Sequence, residues 1–172
     1  MVFIEKISRV DAAKRQLETA IKLIAQDGDP VAIHTLAAAS QQILRDLGKL
    51  RDIESPIYEA GQKYFKSEEE YKKYINTVRL PQNAFKHATN PDIPDPLEYN
   101  SNLAELIVFD AAEIYNRLTG ERPVLQYSYC IWFVFKNPNI ISDKSFKEKL
   151  EKLKYLSPND KSIITELADL LK

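Results

Sequence analysis

Hydrophobic residues recur at three- and four-residue intervals along most of the chain, which is the spacing of one face of an α-helix. The first stretch of this kind predicts a helix from about Arg9 to Gln26, with Ser8 as its N-cap and Gly28 as its stop. A second helix is predicted from Pro30 to Gly48, because Asp29 is a natural N-cap and Gly48 suits a C-terminal cap. The short gap between them indicates an antiparallel helical hairpin.

Further helices are predicted from the same spacing and from capping residues. The aromatic stretch from Tyr127 to Phe135 is also compatible with a strand, but an isolated strand would have no predicted partner, so the pattern favours a helix. One predicted helix runs from Leu103 to Thr119, with Asn102 and Glu105 as its capping pair and Gly120 as its end. Others begin at Ser55-Pro56, at Ser67 and at Pro123, and two more cover Asp143 to Lys154 and Pro158 to Leu171. The fold class is therefore all-α, a single-domain helical bundle of about six to eight helices.

Length and composition agree with one ordinary globular domain. A chain of 172 residues, 44% hydrophobic and 28% charged, is long enough to bury a core, and we expect one helical domain over residues 1–172. Its 24 Lys and Arg nearly balance its 25 Asp and Glu, which excludes a strong overall field for nucleic acid or an anionic membrane. Cys130 is the only cysteine, so an intrachain disulfide and a cysteine-based zinc cluster are excluded.

The N-terminus lacks the pattern of a signal peptide, and the longest apolar run is shorter than the roughly 20 residues that span a bilayer. We therefore expect a soluble, cytoplasmic protein without membrane association.

The first candidate site is the stretch RLPQNAFKHATNPDIPDP, residues 79–96. On a continuous helix, Arg79, Asn83 and His87 form one ridge, and together they offer a planar fork of donors, an amide and a group that titrates near neutral pH. This set suits a phosphate or a hydrolytic step. Pro81 lies between Arg79 and Asn83 in the sequence, and it either kinks the helix or restarts it. In the alternative interpretation, His87 caps the helix C-terminus and Asn83 satisfies backbone groups near the kink.

The second candidate is a polar stripe on the helix that begins at Pro30. His34, Gln41 and Arg45 fall on one side of it, beside the apolar face. His34 lies near the positive end of the helix, which lowers its pKa and favours the neutral imidazole. We predict His34, Arg45 and Lys86 as ligand-binding residues, although His34 is also compatible with a place at the rim of the core.

The third candidate is Asp110, a carboxylate on an otherwise apolar helical stripe. A buried carboxylate needs a partner, and Arg79, His34 or His87 are the expected ones. An Asp with His and Arg is a minimal acid-base set, but a structural ion pair is the more common arrangement. The catalytic candidates are thus His87, Asn83, Arg79 and Asp110.

No metal or cofactor is predicted. The chain has only two histidines, and the carboxylates after His87 have no recognised ligand spacing. They belong instead to a loop, residues 90–99, whose three prolines restrict it and predict a lid or brace over one end of the bundle.

The segments DPVAIHTLAAASQQILRDL and NAFKHATNPD resemble parts of small uncharacterised bacterial helical proteins, over roughly the first two thirds of the chain. That resemblance implies no activity. A weaker one is to the HEPN class of helical domains, which implies a compact bundle and a ribonuclease or nucleotide-binding site formed by an Arg followed by a His. Arg79 and His87 are the matching residues, although the spacing between them exceeds that of the motif.

Two functions follow as hypotheses. One is a binding or regulatory module for a protein or a small anionic ligand, and the other is a HEPN-like ribonuclease or nucleotide-processing enzyme. The module predicts an exposed aromatic patch from Tyr58, Tyr64 and Tyr71. The enzyme predicts an accessible His87 within hydrogen-bond reach of Asn83 or Arg79, doubled across a homodimer, with RNA or a nucleotide as partner.

Overall fold

The computed structural model describes residues 4–140, 148 and 157–171. Within these residues the regular structure is helical and no strand occurs, which confirms the predicted all-α bundle. Six α-helices follow one another in the described part of the chain: α1 (Arg9–Ala25), α2 (Pro30–Lys49), α3 (Glu68–Ala84), α4 (Asn102–Thr119), α5 (Val124–Lys136) and α6 (Ile163–Leu170). None of the described helices is long and apolar enough to cross a membrane.

The hairpin of α1 and α2 is confirmed. Asp27 takes the left-handed conformation that ends α1, with φ of 51°, and the Gly28 amide donates to the Leu23 carbonyl at 2.8 Å. Asp29 then caps α2 by accepting from the Ala32 amide at 2.9 Å. These local bonds reverse the chain within a few residues and place α1 against α2.

Helix α2 occupies the middle of the bundle and packs along both α1 and α4. The prediction that Gly48 caps it is wrong, because α2 runs on to Lys49 and Gly48 is buried inside it. A Cβ atom at position 48 would lie 3.1 Å from the carbonyl oxygen of Ile53, whose amide donates to the Gly48 carbonyl. The glycine is therefore required by the close return of the chain after α2.

The helix predicted from Ser55-Pro56 does not form. Residues 56–61 make turns, and only Gln62–Tyr64 forms a short 3-10 helix. The Ser55 hydroxyl and the Ile57 amide donate to the Asp110 carboxylate on α4. A contact with a distant residue has thus replaced the local helical bonds that the capping signal predicted.

Helix α3 begins at the predicted cap, where the Ser67 hydroxyl accepts from the Glu70 amide. It continues through Pro81, which is buried, and ends at Ala84, so Pro81 does not restart the helix. Because proline has no amide hydrogen, the Thr77 carbonyl loses its helical partner at this point.

Helix α4 ends at Gly120 as predicted, in the left-handed conformation with φ of 75°. Its predicted start is wrong: Asn102 is already helical, and Glu105 does not act as a capping residue. The Glu105 carboxylate is instead bound by the Lys136 ammonium of α5 at 2.7 and 2.9 Å. This ion pair has replaced the capping box and joins α4 to α5.

The aromatic segment forms helix α5, which confirms the preference for a helix over a strand. Helix α6 packs against α5 through Ile163, Ile164 and Ala168. It starts later than predicted, because residues 157–162 form turns in which Asp160 accepts from the Ser162 amide. The helix predicted from Asp143 to Lys154 lies outside the described residues.

Candidate functional site

The ridge of Arg79, Asn83 and His87 is only partly continuous. Arg79 and Asn83 lie on α3, while His87 lies beyond its last residue and donates its backbone amide to the Asn83 carbonyl at 3.0 Å. All three residues are exposed to solvent. Among the described residues no hydrogen bond joins their side chains. The three residues are therefore separate polar groups on the protein surface and do not form an assembled site.

Arg79 instead faces Tyr58 on the inner side of the ridge. The Arg79 guanidinium carbon lies 5.2 Å from the centroid of the Tyr58 ring, and that of Arg45 lies 3.9 Å from it. Tyr58 is buried, and burial raises the pKa of its hydroxyl. Of the expected aromatic patch, Tyr58 is therefore absent from the surface, while Tyr64 is exposed and Tyr71 half-buried.

Asp110 is fully buried, and its carboxylate is held by neutral donors. It accepts from the Gln41 amide at 2.7 Å, from the Ser55 hydroxyl at 2.7 and 2.8 Å, and from the Ile57 backbone amide at 2.9 Å. None of the expected partners, Arg79, His34 or His87, is among these donors. Burial raises the pKa of Asp110, while these hydrogen bonds oppose the rise.

Arg45 belongs to the same corner of the fold. Its guanidinium donates to Glu59 at 2.5 and 2.9 Å, and the other carboxylate oxygen of Glu59 accepts from the Ser55 amide. Asp110 and Arg45 thus fix the two sides of the loop from Ser55 to Glu59. Because both groups are already paired, they act as structural supports and have little capacity left for a ligand.

His34 lies under the loop that follows α3. It is fully buried, its Nδ1 lies 3.1 Å from the Tyr99 hydroxyl, and its Nε2 has no partner in the structure described. Phe85 and Tyr99 meet the imidazole edge-on. Burial, aided by the charge of the exposed Lys86, lowers the pKa of His34 to about 4. The neutral imidazole expected from the sequence agrees with this, although burial is the main cause rather than the helix end.

A groove of about 840 Å³ lies along α4 and α5. Helix α4 contributes Leu106 and Phe109, helix α5 contributes Phe133 and Val134, and Tyr74 of α3 lies on the opposite side. Burial raises the pKa of the Tyr74 hydroxyl to about 12, so it is neutral at physiological pH. Other lining residues include Pro56, Ile57, Ala60, Gly61, Phe65, Ala112, Tyr127, Cys130, Ile131 and Ile140. The groove walls are thus largely apolar.

One end of the groove is polar. It lies where α5 begins and is formed by Arg122, Gln126 and Arg117, with Glu113 and Glu121 nearby. Arg117 approaches Glu113 at 3.9 Å, and Glu121 accepts from the Tyr115 hydroxyl at 2.7 Å. Arg122 pairs with no carboxylate among the described residues. A groove with apolar walls and an unpaired arginine, Arg122, at one end is suited to a small molecule that has an apolar body and an anionic group.

The sequence did not indicate this groove, because its walls come from α3, α4, α5 and the loop before α3. Two local signals were nevertheless present. The first is Gln126, an amide in the mostly hydrophobic stretch VLQYSYCIWFVF. The second is the pair Arg122 and Pro123, which marks the start of the helix. Only the packing of the elements shows that these residues meet one opening.

No group of three or more His, Cys, Asp or Glu residues in the described ranges is placed to hold a metal ion. Fold and groove together define a helical bundle with a ligand-sized opening. Comparisons of the chain with family models, curated proteins and solved structures find no match. The function is therefore inferred from the geometry of the chain itself.

Proposed function

We propose that the protein is a binding module, without catalysis of its own, that takes up a small molecule with an apolar body and an anionic group in the groove along α4 and α5. The observation that carries this proposal is the groove itself, with a volume of about 840 Å³ and mostly apolar walls. This volume lies within the range typical of small-molecule sites, on the order of 300 to 1,000 Å³.

The charges around the groove support an anionic ligand over a cationic one. Lys63, Arg117 and Arg122 line it together with Glu113 and Glu121. Glu113 is close to Arg117, and Glu121 lies 3.7 Å from the Lys14 ammonium, so the lining charges without a carboxylate partner among the described residues are those of Lys63 and Arg122. An anion entering this end would therefore meet a cation rather than a carboxylate.

Among the described residues, the polar groups outside the groove support no comparable ligand site. Asp110 and Arg45 are engaged by the loop from Ser55 to Glu59, and His34 is enclosed by Phe85 and Tyr99. The HEPN-like ribonuclease or nucleotide-processing alternative, built on Arg79, Asn83 and His87, stays a prediction, and no contact between their side chains favours it.

The test is a titration with 1-anilinonaphthalene-8-sulfonate, a fluorophore that has an apolar ring system and one sulfonate. We expect saturable binding with an increase in fluorescence and a stoichiometry of one. The variant Leu106→Gln places an amide on the groove wall and is expected to weaken binding by about tenfold, since about 1.4 kcal/mol of apolar contact is lost.

Leu36→Gln is the matched control, because Leu36 is also a half-buried helical leucine that packs on the core but does not line the groove. Its affinity for the fluorophore should equal that of the wild type when both are compared under conditions where they are folded. Absence of saturable binding, or equal weakening by the two substitutions, would reject the groove as the site.

A further inference from the structure

We propose that the start of α5 is a carboxylate-binding subsite, so that the ligand is an aliphatic or aromatic carboxylate whose head group binds at Gln126 and Arg122. This inference rests on the proposed function, because it concerns the orientation of a ligand in the same groove. It adds the chemical class of the ligand and the end of the groove at which its charge lies.

The backbone at the start of α5 offers free donors. Pro123 precedes the helix without a side-chain cap, and the first helical bond runs from the Tyr127 amide to the Pro123 carbonyl at 2.9 Å. The amides of residues 124 to 126 therefore have no partner in the described part of the chain. Such a helix end is partly positive and favours an anion.

The side chain of Gln126 indicates, independently of the backbone amides, that a hydrogen-bonding ligand is missing from this end of the groove. It is only 3% exposed and lines the groove, yet neither its Nε2 nor its Oε1 has a hydrogen-bond partner in the described structure. A buried amide without partners destabilises the protein, and most buried polar groups in proteins are paired. Both amide atoms are buried, so a carboxylate at this end of the groove would accept from Nε2 when the Gln126 side chain turns towards it, which would remove part of that destabilisation.

Arg122 supplies the charge. It is exposed, and its guanidinium carbon lies 5.9 Å from the centroid of the Tyr127 ring. Burial raises the pKa of the nearby Cys130 thiol to about 12, and the charge of Arg122 opposes this rise. A guanidinium presents a fork of donors that matches a carboxylate. Arg122 is thus placed at the groove end and holds no carboxylate of the described chain.

The apolar wall continues from this subsite, which fixes the direction of the ligand. Cys130, Phe133 and Val134 follow Gln126 along α5 on the groove side, and Phe109 faces them from α4. A ligand with its carboxylate at Gln126 would lay its apolar body along these residues. A polar body would lose hydration there without a compensating partner.

The experiment is a calorimetric titration with decanoate and with decan-1-ol, which share one alkyl chain and differ in the head group. We expect the wild type to bind decanoate about tenfold more tightly, a difference of about 1.4 kcal/mol that decreases at high salt because Arg122 is exposed. Arg122→Gln should remove most of that preference and leave the affinity for decan-1-ol unchanged. Arg9→Gln is the matched control, an exposed arginine outside the groove that should leave both affinities unchanged.

Gln126→Leu tests the second group without a charge change. It should weaken decanoate binding, preserve decan-1-ol binding, and stabilise the free protein because a buried unpaired amide is removed. Equal affinity of the wild type for the two ligands, or a preference that survives both substitutions, would overturn the subsite while the groove remained a binding site. Failure of both ligands to bind would instead overturn the proposed function.

Discussion

Asp110 and His34 are both fully buried titratable groups, and each holds a loop against the helices. They differ in the number of hydrogen bonds that their side chains make. Asp110 receives donors from Gln41, Ser55 and Ile57. The His34 side chain has one hydrogen bond in the structure described, between its Nδ1 and the Tyr99 hydroxyl, and its Nε2 has no partner there. The loop from Ser55 to Glu59 is therefore fixed by several bonds, whereas in the described part of the chain the hydrogen bonds between the proline-rich loop before α4 and helix α2 come from Tyr99, to His34 and to the Pro30 carbonyl.

The two groups also contribute to stability with opposite dependence on pH. The pKa of Asp110 is raised in the folded protein, so its favourable contribution is present below its unfolded pKa and is lost as the pH rises through the folded value. The pKa of His34 is lowered to about 4, so its contribution is present above the unfolded value of 6.5 and is lost as the pH falls towards 4.

The largest expected effect is at Asp110. Replacement by Ala leaves the Ser55 hydroxyl, the Ile57 amide and the Gln41 amide without an acceptor, and we expect the free energy of unfolding to decrease by about 3 kcal/mol. Asp110→Asn keeps an acceptor oxygen and should cost only about 1 kcal/mol. Urea unfolding at pH 7, followed by circular dichroism, measures both.

Asp46→Ala is the control for this pair, since Asp46 is exposed on α2 and its loss should change stability by less than about 0.5 kcal/mol. If Asp110→Ala unfolded at the same urea concentration as Asp46→Ala, the bonds to the loop would contribute no net stability and the comparison with His34 would fail.

The intermediate effect is the pH dependence that His34 causes. Between pH 6.5 and pH 4 its protonation should lower the free energy of unfolding by on the order of 2 kcal/mol, and His34→Gln should flatten this part of the profile. Thermal or urea unfolding at several pH values in this interval measures the difference. His87→Ala is the matched control because His87 is the other histidine and is exposed, so its profile should follow the wild type. Parallel profiles for wild type and His34→Gln would contradict the assignment.

The smallest effect concerns the exposed ridge of α3. His87→Ala should change the free energy of unfolding by less than about 0.5 kcal/mol, since its side chain is exposed. We also expect no degradation of single-stranded RNA by the wild type above the level of the variant. RNA cleavage that the wild type shows and His87→Ala lacks would support the ribonuclease alternative and make the ridge, rather than the groove, the functional part of the chain.

Local signals predicted the elements whose partners lie nearby in the chain. The Asp29 cap, the hairpin of α1 and α2, and the end of α4 at Gly120 depend on bonds between neighbouring residues, and all three were predicted. The start of α4 and the segment after Ser55 were not, because distant partners decide them. Glu105 binds Lys136, and Ser55 binds Asp110, which is 55 residues away.

For the candidate sites too, the sequence indicated properties of single residues but not their distant partners. A carboxylate on an apolar stripe correctly indicated that Asp110 needs partners, but the sequence pointed to charged residues rather than to Gln41 and Ser55. His34 was expected to be neutral, and it is. The groove left only two local signals, Gln126 and the helix start at Arg122 and Pro123, because its shape depends on how α3, α4 and α5 pack together.

The bonds of Asp110 have a consequence for the order of folding. The hairpin of α1 and α2 closes through contacts such as Gly28 with Leu23, whereas Asp110 reaches Gln41 across 69 residues. Ordering a longer intervening chain costs more entropy, so contacts at this separation form after local ones. The hairpin is therefore expected to assemble first, and Asp110 to secure the loop last, which makes this carboxylate a determinant of how slowly the protein unfolds rather than of how fast it folds.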